Sequence, residues 1–248
     1  MRAKPHRVAL FVTCVVDQFF PQVGEGVVKV LRHLGIEVDF PQAQTCCGQP
    51  AFNSGYRREA LSAARRFLEV FKNAEAVVAP SGSCASMVRV FYPSLFRDDP
   101  QRHAQAQALA SRTYEFSEFL VRVLGVANIG ARYADGLTVT YHDSCHSLRE
   151  LGIRDEPRAL LKAVQGVRFV EFEQHEVCCG FGGTFSVKYA PISTAILQDK
   201  LDNIAHSGAR VLVATDSSCL MHMEGAMRRQ GMQIRPLHIA QFLAEGLP

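Results

Sequence analysis

Eight cysteines hold the chemistry available to this sequence: Cys14, Cys46, Cys47, Cys84, Cys145, Cys178, Cys179 and Cys219. Thiolates exchange with disulfides, bind soft metal ions and ligate iron–sulfur clusters. A free cysteine is also a small buried apolar residue, but the spacing here argues for more. The first four read single, vicinal pair, single, and so do the last four. Cys14 and Cys145 lie 131 residues apart, each member of the first pair lies 132 from its counterpart, and Cys84 and Cys219 lie 135 apart. The flanks repeat as well. Thr45-Cys46-Cys47-Gly48 parallels Val177-Cys178-Cys179-Gly180, and Ser81-Gly82-Ser83-Cys84 parallels Asp216-Ser217-Ser218-Cys219. The chain reads as an internal duplication.

Four thiolates suit either a structural zinc or an iron–sulfur cluster. Two adjacent residues rarely aim both sulfurs at one tetrahedral ion. A cluster offers separate iron atoms, one for each neighbouring thiolate. Gly48, Gly180, Gly182 and Gly183 allow backbone N–H groups to approach the sulfur. Gly180-Phe181-Gly182-Gly183 has the wrong register and context for a dinucleotide fingerprint. His142 and His146 flank Cys145, and Asp216 and His222 flank Cys219. These four are candidates for tuning a metal centre or adding a ligand to it, and Asp143 is a candidate to orient a histidine or cap a helix.

The elements that must position these residues repeat too. A β-branched run, 7–16 or 137–142, leads into the first cysteine of each half. A helix and a second strand follow, the vicinal pair falls in a loop, and amphipathic helices are expected over 57–72 and 191–206. Short strands at 76–79 and 210–214 deliver the last cysteine into a loop that opens a helix. Such alternation predicts α/β architecture: two duplicated parallel-sheet, Rossmann-like lobes related by pseudo-two-fold symmetry. Ligands of such sheets bind beyond the carboxyl ends of the strands, where the cysteines fall. The tails Ser117–Leu120 and Ala240–Leu243 are offset by only 123, so the first half carries about a dozen extra residues, assigned to the polar stretch 97–112. Glycines at 125–136 mark the junction, giving a first domain over 1–126 and a second over 136–248.

With 48% hydrophobic and 21% charged residues the chain can build a core without disulfide staples. A net charge of +3 gives no nucleic-acid footprint, and no apolar run reaches the roughly 18 residues of a transmembrane segment. Basic residues from Arg2 to Arg7 precede an apolar run, as in a leader peptide. No small-residue cleavage site follows, so the run is expected to be a buried strand and the protein cytoplasmic, with reduced thiols.

The paired Cys-Cys-Gly segments, the Tyr141-His142-Asp143-Ser144-Cys145-His146 stretch and the two late cysteine loops resemble the CCG (cysteine-rich) domain family. Its members include subunits of heterodisulfide reductase and glycolate oxidase, and the free-standing two-copy form resembles its lactate-utilisation branch. The resemblance implies an iron–sulfur electron-transfer subunit, not active alone, in a system oxidising L-lactate to pyruvate with other subunits such as a ferredoxin-like iron–sulfur protein. All eight cysteines would be the metal ligands. In the disulfide-reductase branch each motif ends in Cys-x-x-Cys and five cysteines hold a noncubane cluster. Here Ser81 and Asp216 stand at the first of those positions, or Met87 and His222 at the second if Cys84 and Cys219 are taken as the first; either way the fifth cysteine is missing, so a four-cysteine cluster, 4Fe-4S, per half fits better. Two alternatives stay open: a thiol–disulfide reductase subunit, and a zinc-stabilised interaction module, with zinc in one half also compatible.

Overall fold

Two four-stranded sheets, parallel at every pairing, form the frame of the molecule. The structure is a computed structural model that describes residues 4–248; Arg2, at the start of the basic N-terminal run, lies outside them. The first sheet contains Arg7–Leu10 (β1), Glu37–Asp39 (β2), Val77–Ala79 (β3) and Thr113–Glu115 (β4) in the order β2-β1-β3-β4. The second contains Arg132–His142 (β5), Gln165–Phe169 (β6), Val211–Ala214 (β7) and Arg235–His238 (β8) in the order β6-β5-β7-β8. The two orders are the same, as a duplication requires. β5 opens at Arg132, within the glycine-rich stretch, and its pairing with β6 shifts register between Arg132 and Leu137.

Parallel strands need crossover helices, and the local sequence shapes them. Pro21 starts the helix Pro21–His33 with its missing N–H where no partner is required. Gly35, at φ +75°, ends it: Gly35 N–H donates to Arg32 O and Ile36 N–H to Leu31 O, closing a Schellman turn. The helix Arg57–Phe71 buries Ala60, Ala64, Phe67, Leu68 and Phe71 on one stripe and leaves its arginines outside. The extra residues of the first half form the helix Pro100–Ala110, capped by the Asp99 carboxylate.

The lobes share a core. Val8, Val27 and Phe116 of the first half belong to one buried cluster with Tyr141, Leu160 and Phe242 of the second. Each lobe lays its first long helix against the terminal helix of the other. Pro21–His33 packs on Ile239–Glu245, where Gly26 approaches the Ala240 backbone so closely that a Cβ would lie 2.8 Å from its carbonyl oxygen. Asp155–Ala163 packs reciprocally on the segment Phe116–Val123. This exchange holds the carboxyl ends of both sheets toward one another. No helix among the described residues is long and apolar enough to cross a membrane.

Candidate metal centre

Every cysteine lies just beyond the carboxyl end of a strand. Cys14 opens a helix after β1, Cys46 and Cys47 follow β2, and Cys84 lies in the helix Gly82–Ser86 after β3. Cys145, the pair Cys178–Cys179 and Cys219 take the corresponding places after β5, β6 and β7. All but Cys46 line one cavity of about 410 Å³ between the lobes. Residues up to 205 positions apart, Cys14 and Cys219, thus meet at one cleft because both sheets aim the same edge at it.

In the first lobe Cys14 Sγ lies 3.6 Å from Cys46 Sγ, and Cys47 Sγ lies 3.3 Å from Cys84 Sγ. These separations exceed a disulfide bond of about 2.05 Å, and all eight thiols are free. The second lobe pairs Cys145 with Cys178 and Cys179 with Cys219 in the same way. The vicinal turns are built alike. Gly48 and Gly180, at φ +82° and +88°, direct their N–H groups to Cys46 Sγ and Cys178 Sγ at 3.4 and 3.3 Å. Sulfur contacts from Cys14 and Cys145, with these N–H groups, hold the Cys46 and Cys178 thiols well below the ordinary thiol range. Cys14 and Cys145, as donors in those contacts and half-buried, are pushed up. The Cys14–Cys46 and Cys145–Cys178 pairs thus each hold one negative charge, while full deprotonation of four neighbouring thiols, which their mutual repulsion resists, is the state that a metal would stabilise.

Other residues fix the loops. Gln44 accepts from Val12 N–H at 2.8 Å and donates to Leu10 O at 3.1 Å, tying the β1 exit to the loop of Cys46. Tyr92 donates to Cys47 O at 2.8 Å. In the second lobe Ser193 donates to Gly180 O at 2.8 Å. Buried Lys200 donates to Gln174 O at 2.6 Å, its ammonium over the Phe172 ring, and burial lowers it to about 8. Asp143 takes two bonds from Arg158, at 2.9 and 2.8 Å, and one from His175 Nδ1 at 2.6 Å, linking the Cys145 loop to that of Cys178. It is the orienting residue for a histidine that the sequence allowed. Arg158, Lys200, Ser193 and Tyr92 carried no sequence signal. Each acts on a loop distant in the chain, and its helix would be the same helix without that role.

The four additional candidates occupy different places. Asp216 crosses to the first lobe, where its Oδ1 accepts from Ser81 Oγ at 2.7 Å, Ser83 Oγ at 2.8 Å and Ser83 N–H at 3.2 Å. Ser81 and Asp216 occupy equivalent positions of the repeat, so the pseudo-two-fold relation runs through this contact. His146 lines the cleft, with Nε2 3.4 Å from Gln49 Nε2 of the other lobe and Nδ1 3.0 Å from Glu150. His222 lies beside the second vicinal turn, Nε2 3.2 Å from Ser193 Oγ. His142 alone joins the sulfurs: one ring nitrogen, Cys179 Sγ and Cys219 Sγ all lie within 4.8 Å of one another. It is fully buried, neither ring nitrogen has a partner of full hydrogen-bond geometry among the described residues, and its polar contact is with the Cys219 thiol.

Free cysteine sulfurs at non-bonded distance, N–H groups aimed at sulfur and a buried imidazole beside two of the sulfurs are features that a sulfur-rich metal centre can use. A family model described as a cysteine-rich domain, CCG, matches this chain twice, at residues 8–89 and 139–224. The chain belongs to that cysteine-rich CCG family. Among its relatives are lactate utilization protein A 2 of Bacillus cereus (strain Q1), 45% identical over 97% of this chain and 99% of its own length, and lactate utilization protein A of Oceanobacillus iheyensis, 47% identical over 96% of each. A hypothetical protein from Helicobacter pylori has the same fold, with a TM-score of 0.66 over 99% of this chain at 11% identity. This chain spans about half the length of that protein, 49%.

Proposed function

We propose that the protein is an iron–sulfur electron-transfer subunit of a lactate-oxidising system. The observation that carries this reading is the convergence of two cysteine quartets, each with its sulfurs in close non-bonded contact, on the two walls of one cleft. Cys14, Cys46, Cys47 and Cys84 would hold one cluster, and Cys145, Cys178, Cys179 and Cys219 the other. A bound 4Fe-4S cluster supplies one-electron chemistry. The chain supplies ligation, burial and N–H groups from Gly48 and Gly180 that stabilise sulfur charge and so favour the reduced state. Relatives named for lactate utilisation support the substrate class, and partner subunits would oxidise lactate and accept or deliver the electrons. The reading carries with it a reducing, cytoplasmic setting in which thiolates remain available as ligands. The domain division at 1–126 and 136–248 is part of it, one centre to each domain.

The test is iron and acid-labile sulfide content of anaerobically purified full chain, with EPR of the reduced sample. Iron and sulfide near two clusters per chain, with a reducible signal, are expected. Zinc without sulfide would overturn the redox reading in favour of a zinc-stabilised interaction module. Turnover of a small disulfide by the single chain would favour the thiol–disulfide reductase.

A further inference from the structure

The two quartets are alike, but what stands behind them is not. Three residues before Cys14 the first lobe has Phe11; three before Cys145 the second has His142. Both side chains are fully buried, Phe11 just after β1 and His142 at the end of β5, an inner strand of each sheet. Phe11 is satisfied there, packing edge-on against Phe67 and Phe71 at centroid distances of 5.0 and 5.6 Å. His142 is not. Its two nitrogens are shielded from solvent without a partner of full hydrogen-bond geometry among the described residues, and the ring's polar contact is with the Cys219 thiol. One of them stands with the sulfurs of Cys179 and Cys219 in a ligand-sized triangle. Asp216 is engaged with Ser81 and Ser83 and His222 with Ser193, while His146, whose Nδ1 also lacks a partner of full hydrogen-bond geometry, lies 3.0 Å from Glu150 and is not grouped with the sulfurs.

We infer that His142 is a metal ligand of the second centre, binding through one ring nitrogen, so that the second lobe holds a mixed imidazole–thiolate site and the first an all-thiolate one. This rests on the reading that both quartets hold metal. Ligation gives one ring nitrogen a partner and fixes the tautomer that keeps the proton on the other. The imidazole adds a fifth, neutral donor to the four thiolates of the second quartet, a donor that the first quartet, with Phe11 at that place, lacks, so the duplicated sites become inequivalent, with different affinities for an electron. A chain carrying two different centres on one cleft can pass electrons in a preferred direction. Two identical ones give no such bias.

The experiment uses the full chain, loaded anaerobically and labelled with ¹⁵N only at histidine, with pulsed EPR of the reduced protein. The expected result is ¹⁵N-imidazole coupling on one of two cluster signals, lost in His142→Ala and retained in Cys84→Ser, which disables the first centre. Absence of coupling in the wild-type chain, or its persistence in His142→Ala, would overturn the assignment. The wild-type spectrum decides even where the variant fails to fold. Metal and sulfide analysis of the same sample tests the iron–sulfur reading separately. If the centres hold another metal, X-ray absorption at its edge decides: a nitrogen neighbour lost in His142→Ala supports the assignment, and an all-sulfur shell sinks it. A chain that binds no metal fails both readings.

Discussion

The vicinal turns depend on single residues whose conformation no other type adopts cheaply. At Gly180 the backbone is left-handed, φ +88°, and a Cβ would sit 2.6 Å from Ser193 O. Ser193 in turn donates to Gly180 O. Gly180→Ala is therefore expected to cost about 2 kcal/mol or more from backbone strain and displaced contacts, and to lower metal uptake by the second quartet while the first still loads. Denaturant unfolding and metal content together check this. Gly183→Ala separates the two causes: φ is +64°, so the backbone strain is present, but nothing lies within 4 Å of the added carbon and no contact is displaced. Asp143 is a second such point. Its carboxylate is fully buried and holds Arg158, itself only 9% exposed. Asp143→Ala leaves that guanidinium with Glu171 as its remaining carboxylate partner. A loss of about 3 kcal/mol is expected, as for other buried pairs deprived of one member, measured by urea unfolding.

Among the elements, the close approach of two short helices keeps the cleft narrow. Gly82–Ser86 of the first lobe meets Cys145–Arg149 of the second, and a Cβ on Gly82 would overlap Ser147 Oγ at 1.7 Å. Gly82→Ala is expected to destabilise the chain by about 1–3 kcal/mol by pushing these helices apart. Ser147→Gly should restore part of that loss, so a double-mutant cycle with a favourable coupling checks the contact. Much of this scale was legible in the sequence. The duplicated cysteine spacing and the strand–helix alternation led to two parallel sheets, because hydrophobic period and breakers such as Gly35 are local properties of the chain. The extra residues in the first half were legible as an offset, and they form the helix Pro100–Ala110. What was not legible is which wall each helix meets. The reciprocal packing of Pro21–His33 on Ile239–Glu245, and the reach of Asp216 to Ser81, arise only when the sheets face each other. For the same reason four polar residues near the cysteines looked equivalent in sequence, whereas among them only His142 has a ring nitrogen grouped with two of the sulfurs.

For the whole molecule, the two lobes close their last strands with different titratable caps, and these act on stability in opposite directions. Glu115 ends β4 and His238 ends β8, at equivalent positions of the repeat, each inside a capping box and fully buried. His238 Nδ1 accepts from Ala240 N–H at 3.1 Å, while Nε2 lies 3.0 Å from Thr215 O and 3.1 Å from Pro80 O. The neutral ring thus satisfies carbonyls from both lobes, and burial depresses it from 6.5 to about 4. A histidine with a lowered folded pKa contributes stability that is complete above 6.5 and is lost as pH falls toward 4. Burial raises Glu115 from 4.5 to about 8. That contribution is complete below 4.5 and is lost as pH rises toward 8. Between about 4.5 and 6.5 the unfolded chain takes up a proton at His238 and releases one at Glu115, so the two slopes, each up to about 1.4 kcal/mol per pH unit, cancel. Each single variant should expose the other residue's slope. Relative to the wild-type chain, Glu115→Gln is expected to gain stability from pH 5 to pH 7.5. His238→Gln is expected to lose it over the same range, by about 2 kcal/mol. Urea unfolding of the three proteins at both pH values measures this directly, and parallel profiles for all three would show that neither buried cap changes protonation on unfolding.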